Sequence, residues 1–293
     1  MSQPTPPSQP VRKLPIAETI GEAYRSVFNN LAAWLQITVG PVLLAVAIAV
    51  IERALFGSGL AERAVLNSES PEAITTLVQA VWLVTVLEDF IACIPYVFFA
   101  VAWHRFVLLG ERPTFALNVL RPERRHMKFY LYIILLIMFY SLATAFIAVS
   151  ILSIITTTSD GAEVAVFLVI LLLFLLFVFI SIYVNVRLQF VFPALAVDEQ
   201  YGFGDSWRNT CGQAWRLLLV LVCCFLPLLF VGIALSAPLL GAMSNTVLFF
   251  ISPFIISAIG LLATAVCVSA ISIAFRTCTG WIPPAADQPP ANV

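Results

Sequence analysis

Glu88 and Asp89 are the first residues in this chain to question, because they interrupt an otherwise apolar run. A carboxylate in hydrocarbon is strongly disfavoured, so acids inside a membrane tend to mark ion or proton paths. Depth decides whether that applies. Arg105 marks one edge of the run, and Asp89 lies sixteen residues earlier. On a helix that is roughly 24 Å, which puts the pair near the opposite interface, where water reaches it. Adjacent helical positions also point about 100° apart, so the two carboxylates need not converge. Glu88 and Asp89 are thus a candidate polar site, with two interfacial acids as the plainer reading.

The other reactive residue types form no recognised set. His104 and His126, the two histidines, lack a second ligand at helical spacing, and no H-E-x-x-H is present. His104-Arg105 reads as an interfacial anchor. Of the six cysteines, Cys93, Cys223, Cys224 and Cys267 lie in apolar runs, and Cys211 and Cys278 lie near the basic side. None has C-x-x-C spacing, so they read as small hydrophobes. Gly57-Ser58-Gly59 is a turn, not a nucleophile elbow. No phosphate-loop or dinucleotide fingerprint occurs. The expectation is a protein with no catalytic residues, no cofactor and no metal. The polar chemistry that remains is cationic. Arg112, Arg121, Arg124, Arg125 and Lys128 cluster in one stretch. Each basic residue beside an anionic leaflet contributes about 1 kcal/mol. Arg121, Arg124, Arg125 and Lys128 are therefore candidate anionic-lipid contacts; the plainer reading is that they set topology.

The elements that would position these residues are membrane helices. The chain is 61% apolar and 11% charged, with a mean hydropathy of +1.00. Soluble domains carry about 45–50% apolar and 25% charged residues. Runs of about twenty apolar residues can cross a hydrocarbon core. Six are expected: Leu31 to Ile51, Val84 to Trp103 with a helix reaching back to Glu72, Phe129 to Ile155, Val164 to Val186, Leu217 to Leu240, and Thr246 to Phe275. The expected class is all-α and polytopic, three hairpins with interfacial amphipathic helices. His104 to Lys128 reads as a polar loop between the second and third spans. The almost wholly Leu, Ile, Val and Phe fourth span should face lipid. On the sixth, Ser257, Gly260, Thr264 and Cys267 form a stripe suited to close packing. Residues 1–15 and 282–293 read as disordered tails around a membrane domain of residues 16–281. Arg12, Lys13, Arg25, Arg105, Arg112, Arg121, Arg124, Arg125, Lys128, Arg187, Arg208, Arg216 and Arg276 fall on one side, and Arg53 and Arg63 on the other. The positive-inside rule then places both termini in the cytoplasm.

An internal repeat accompanies this pattern. Ile20 to Ser26 reads I-G-E-A-Y-R-S, and Phe203 to Asn209 reads F-G-D-S-W-R-N. Apolar, Gly, acid, small, aromatic, Arg and small polar match in order. A tryptophan follows each, at Trp34 and Trp215, and a proline further on, at Pro41 and Pro227. The implied units are 16–112, 113–200 and 201–281, the middle one without a clear entry motif. Ile16, Ile20, Tyr24, Val27, Phe28 and Leu31 share one face of the first amphipathic segment. Tyr24, Arg25, Trp207, Arg208, Arg105, Arg187 and Arg276 are the expected interfacial anchors. Gly21 and Gly204 would permit close backbone approach or a bend, and Glu22 and Asp205 would pair with Arg25 and Arg208.

The stretch P-A-L-A-V-D-E-Q-Y-G-F-G-D-S-W-R-N-T-C-G-Q-A-W-R-L-L, from Pro193, resembles the motif of the membrane domain associated with glycerophosphoryl diester phosphodiesterases and of related uncharacterised bacterial inner-membrane proteins. In those phosphodiesterases, catalysis belongs to a separate soluble barrel. This chain has no counterpart to it, so the resemblance implies a bacterial inner-membrane location and no catalytic residues. The leading expectation is a non-enzymatic inner-membrane protein that organises or assists partners or lipids. Its partners would be membrane lipids, with another membrane protein or a second copy as further candidates, and no nucleic acid. Two alternatives stand beside it: a transporter or channel component for a lipid-like or apolar solute, and an enzyme at the membrane face.

Overall fold

The computed structural model describes residues 13–56, 71–113, 115–157, 163–241 and 246–283. The chain is an all-α polytopic membrane protein, with six helices long and apolar enough to cross a bilayer and no strand among the described residues. The helices are α1 (Ile16–Phe28), α2 (Leu31–Phe56), α3 (Pro71–Leu109), α4 (Arg124–Thr157), α5 (Glu163–Leu188), α6 (Val191–Ala196), α7 (Phe203–Asn209), α8 (Ala214–Gly241) and α9 (Thr246–Thr279), with a short 3-10 helix at Ala116–Leu120. Hairpins α2–α3, α4–α5 and α8–α9 pack internally and then on one another, α3 against α4, α5 against α8, and α9 against both α2 and α3.

The first, fourth, fifth and sixth spans lie close to their expected limits. The second does not stop at Trp103. α3 continues to Leu109, where Gly110, at φ 73°, ends it and donates its N–H to Phe106 O at 2.9 Å. Its 39 residues run for roughly 58 Å, more than a bilayer needs, so it projects beyond the core. His126 and Lys128 likewise belong to α4, not to a loop. The segment expected as one polar loop is two helix ends and a 3-10 turn. Arg and His near an apolar run do not mark its end when other helices cover them.

Each hairpin is entered through a short segment that packs on a different hairpin, the preceding one for the second and third and the last one for the first. The 3-10 helix packs on α2 and α3, α7 packs on α5, and α1 packs on α8 and α9. α1 does not lie as a free helix beneath the bundle. Leu14 N donates to Gln213 Oε1 at 3.1 Å, and Tyr24 Oη donates to Cys224 O at 2.9 Å. The two contacts are ten and eleven residues apart on the two strands of chain, so α1 and α8 run side by side for roughly 15 Å. The buried face of α1 is Thr19, Ala23 and Val27, while Phe28 and Leu31 are exposed. The expected face is therefore rotated towards its small residues, because α8 and α9 come close.

The core centres on α9. Leu261, Ala265, Val266, Ala270, Ala274 and Phe275 have at most 1% exposure. Gly260 sets the closest approach, for a Cβ there would meet Tyr96 Oη at 2.7 Å. Two polar bridges cross the same seam: Trp103 Nε1 donates to Ser269 Oγ at 2.8 Å, and His104 Nδ1 lies 2.7 Å from Ser272 Oγ. Gly40 plays a similar part on α2, where a Cβ would stand 3.0 Å from Ala116 O of the 3-10 helix. Gly21 and Gly204 do not. A Cβ at Gly204 would meet nothing within 4 Å, and one at Gly21 would meet only Arg25 Nη2 at 3.7 Å. The fourth span is exposed as expected, from Leu168 to Ile180.

Candidate anion site at the basic end of the bundle

The end of α3, the start of α4 and the ends of α6 and α9 meet at one end of the molecule. There, side chains tie four elements into a collar. Arg105 forms a bidentate pair with Glu111, Nε to Oε2 at 2.7 Å and Nη2 to Oε1 at 2.6 Å. Its Nη1 also donates to Ala196 O at 2.9 Å and to Asp198 Oδ2 at 3.4 Å. Arg125 donates through Nε to Glu123 Oε2 at 2.5 Å and through Nη1 to Asp198 Oδ2 at 2.6 Å. One carboxylate thus bridges two guanidiniums from different helices. Asp198 holds a left-handed φ of 61°, uncommon for a residue with a side chain. The backbone there closes α6, with Glu199 N donating to Ala194 O at 3.0 Å. Further round, Trp281 Nε1 donates to Glu199 Oε1 at 2.8 Å.

Inside this collar lies a cavity of about 360 Å³. Arg105, Arg112, Arg121, Arg125, Glu111 and Glu123 supply its charges, and His126 its floor. The four arginines are not equivalent. Arg105 and Arg125 are engaged by Glu111, Glu123 and Asp198. Arg112 and Arg121 are exposed and form no ion pair among the described residues. Arg112 instead lies over the Phe106 ring, 5.5 Å from its centroid. The cavity therefore offers two uncommitted cations beside a saturated frame. Arg124 and Lys128 are exposed on the first turn and a half of α4 and do not line it. Arg125, expected as a lipid contact, is held by its acids.

The remaining expected residues distribute elsewhere. His104 is no interfacial anchor: it is 1% exposed in the α3–α9 seam. Arg187 is not at a wet edge either. It is 5% exposed, with its guanidinium 4.4 Å from the Trp207 ring centroid and 5.8 Å from that of Tyr183. Its carbonyl accepts from Ser206 Oγ at 2.7 Å and from Thr210 Oγ1 at 3.2 Å. Trp207 thus works by covering a buried cation and fixing α7 to α5. Arg208 pairs with Asp205 at 2.7 Å, as expected, whereas Glu22 and Arg25 form no pair among the described residues. Tyr24 is tied to α8, and Arg25 and Arg276 are exposed. Glu88 is half-buried and Asp89 exposed on α3, and neither is in an ion pair among the described residues. Arg63 lies outside the described residues. No protein-family model matches this chain, and no curated protein or solved structure matches it.

Outside the spans, Tyr201 is strongly shifted at this end. Burial pushes its phenol up to about 12, opposed in part by the Asn209 amide, which donates to Oη at 2.9 Å. Sequence reasoning missed Asp198, Glu111 and Glu123 because it read only the basic residues of this region. The interleaving of acids in G-E-R-P and R-P-E-R-R was the available signal.

Proposed function

We propose that this chain is a non-enzymatic integral membrane protein of a bacterial inner membrane, its termini cytoplasmic, that organises lipids or partner proteins at the cytoplasmic face. The collar carries the reading. Polar side chains at that end fix short segments to the bundle and leave an arginine-lined cavity open beside them. The resemblance of the Pro193 stretch to the membrane domain of glycerophosphoryl diester phosphodiesterases fits the same location. Reporter fusions after Asn67 and Asp160 should read outside and one at Glu199 inside; a cytoplasmic signal at Asp160 overturns the orientation. For the activity, the full chain is purified gently and its stoichiometric companions identified. A retained protein partner or a defined lipid complement supports an organising role.

A second reading, passage of a lipid-like solute, draws on one observation. An apolar cleft of about 290 Å³ opens between α8 and α9, lined by Phe225, Leu229, Gly232, Ile256 and Ile259. Movement of such a solute by the purified chain in proteoliposomes establishes that reading in place of the first.

A further inference from the structure

The cavity in the collar has the chemistry of a phosphate site. A guanidinium recognises a phosphate through two parallel N–H donors, and this works best where the donors are not already committed to carboxylates. Arg105 and Arg125 are committed, bound to Glu111, Glu123 and Asp198. That pairing leaves the frame formally one negative charge in excess, two cations against three anions. Arg112 and Arg121 then bring the site to a net charge of +1, concentrated at the mouth. A second observation fixes where the anion comes from. The segment that carries both arginines also carries Phe115, 70% exposed, and Leu117, 62% exposed. The 3-10 helix between the arginines is pressed onto α2 at Gly40, well inside the first span, and Gln36 Nε2 donates to Pro113 O. The loop is therefore sunk beside a membrane helix, with apolar side chains reaching outward and guanidiniums turned to the cavity. Apolar side chains and arginines in that arrangement suit the acyl and headgroup levels of a leaflet.

We propose that Arg112 and Arg121 bind the phosphate ester of an anionic phospholipid headgroup in this cavity, with Phe115 and Leu117 seated among the acyl chains. The inference rests on the reading of the chain as a membrane protein that organises lipids, and names the lipid chemistry it selects. Arg105, Arg125 and Asp198 frame the cavity by tying α3, α4 and the end of α6 together.

The experiment is native mass spectrometry of the full chain in detergent, titrated with phosphatidylglycerol or phosphatidylcholine. The unaltered chain should retain phosphatidylglycerol preferentially. Two surface cations at a leaflet together account for about a thirtyfold preference, and R112Q/R121Q should lose it. R208Q, whose arginine lies outside the cavity, should keep it. Because Arg112 and Arg121 hold no ion pair among the described residues, their replacement leaves the collar in place; R121Q alone should lose about fivefold. Glycerol 3-phosphate at the same concentration as the lipid separates the sources: failure to displace the lipid supports a lipid ligand, and full displacement overturns it in favour of a soluble phosphate ester. Equal retention of both lipids, or a preference that survives R112Q/R121Q, overturns the site. Solute passage in proteoliposomes would instead sink the organising role while leaving headgroup selectivity untouched.

Discussion

Along α9, Leu261, Ala265, Val266, Ala270 and Ala274 are sealed against neighbouring helices, whereas along α5 Leu168, Leu172, Leu175, Leu176 and Phe179 stand exposed. Both stretches are apolar enough to cross a bilayer. They differ in side-chain size and in what interrupts them. α9 alternates small residues with serines, so α3 can approach until Tyr96 touches Gly260 and Trp103 reaches Ser269. α5 presents large branched side chains that hold other helices off. Lipid is as apolar as leucine, so no hydrophobic force distinguishes these surfaces; close packing and interhelical hydrogen bonds do. In this molecule the α3–α9 seam is specified by protein, and the outer face of the α4–α5 hairpin is left to lipid.

The largest effect expected from that contrast is at Trp103, fully buried between Phe99 and Phe106. Trp103→Ala should destabilise by about 3–5 kcal/mol, because the ring leaves a cavity. Leu172→Ala on α5, at 67% exposure, should stay within about 0.5 kcal/mol. Unfolding titrations of both variants in bicelles decide it, and equal losses would erase the distinction. Next comes Gly260→Val, which sets a Cβ against Tyr96 Oη; overpacking of this kind costs about 1–3 kcal/mol. Adding Tyr96→Phe removes the clashing oxygen and should restore most of the loss. A double variant no better than Gly260→Val places the strain elsewhere.

Smaller changes sharpen the account where α7 packs on α5. Trp207→Ala uncovers the buried Arg187 guanidinium and should cost about 1–2 kcal/mol. Arg208→Ala, at an exposed pair, should cost about 0.5 kcal/mol or less. Thermal melts of the two single variants separate a covering role from a charge at the interface. The last effect, a loss of stability that is absent at neutral pH, concerns Tyr201. Its folded pKa is raised from 10.0 to about 12, so the neutral phenol is favoured in the folded state. The resulting stability is fully present below pH 10 and lost as pH rises through about 12. A difference titration against Tyr201→Phe at the phenolate absorbance band should show this late step. Ionisation near 10 would mean an exposed ring.

The spans were legible because each is a long run with few charges, and hydrocarbon thickness alone sets the length required. The lipid-facing character of α5 was legible for the same reason. His104 was not. Its neighbours in sequence suggest an interface, and its burial follows from Ser272, 168 residues away. Arg187 misled similarly: an arginine closing an apolar run predicts a wet edge, until α7 folds back and lays Trp207 over it. The repeated motif drew attention to Gly21 and Gly204, yet Gly40 and Gly260 make the close approaches. A glycine's use depends on what crosses it, and no local pattern records that. Asp198 was hidden because its role needs a left-handed turn and two arginines from separate helices at once.

Fluorescence quenching by brominated phospholipid tests most directly whether the seam is closed to lipid. The full chain carries six tryptophans, so one variant keeps Trp103 and replaces the other five by Phe. A second replaces all six and adds Leu172→Trp. In bilayers of brominated lipid, Trp103 should keep the intensity it has in unbrominated lipid, because it is 0% exposed and covered by α9. The tryptophan at 172 should be strongly quenched. Quenching of Trp103 to the same degree would mean that lipid enters between α3 and α9, and would contradict the division of this molecule into a protein-sealed seam and a lipid-facing hairpin.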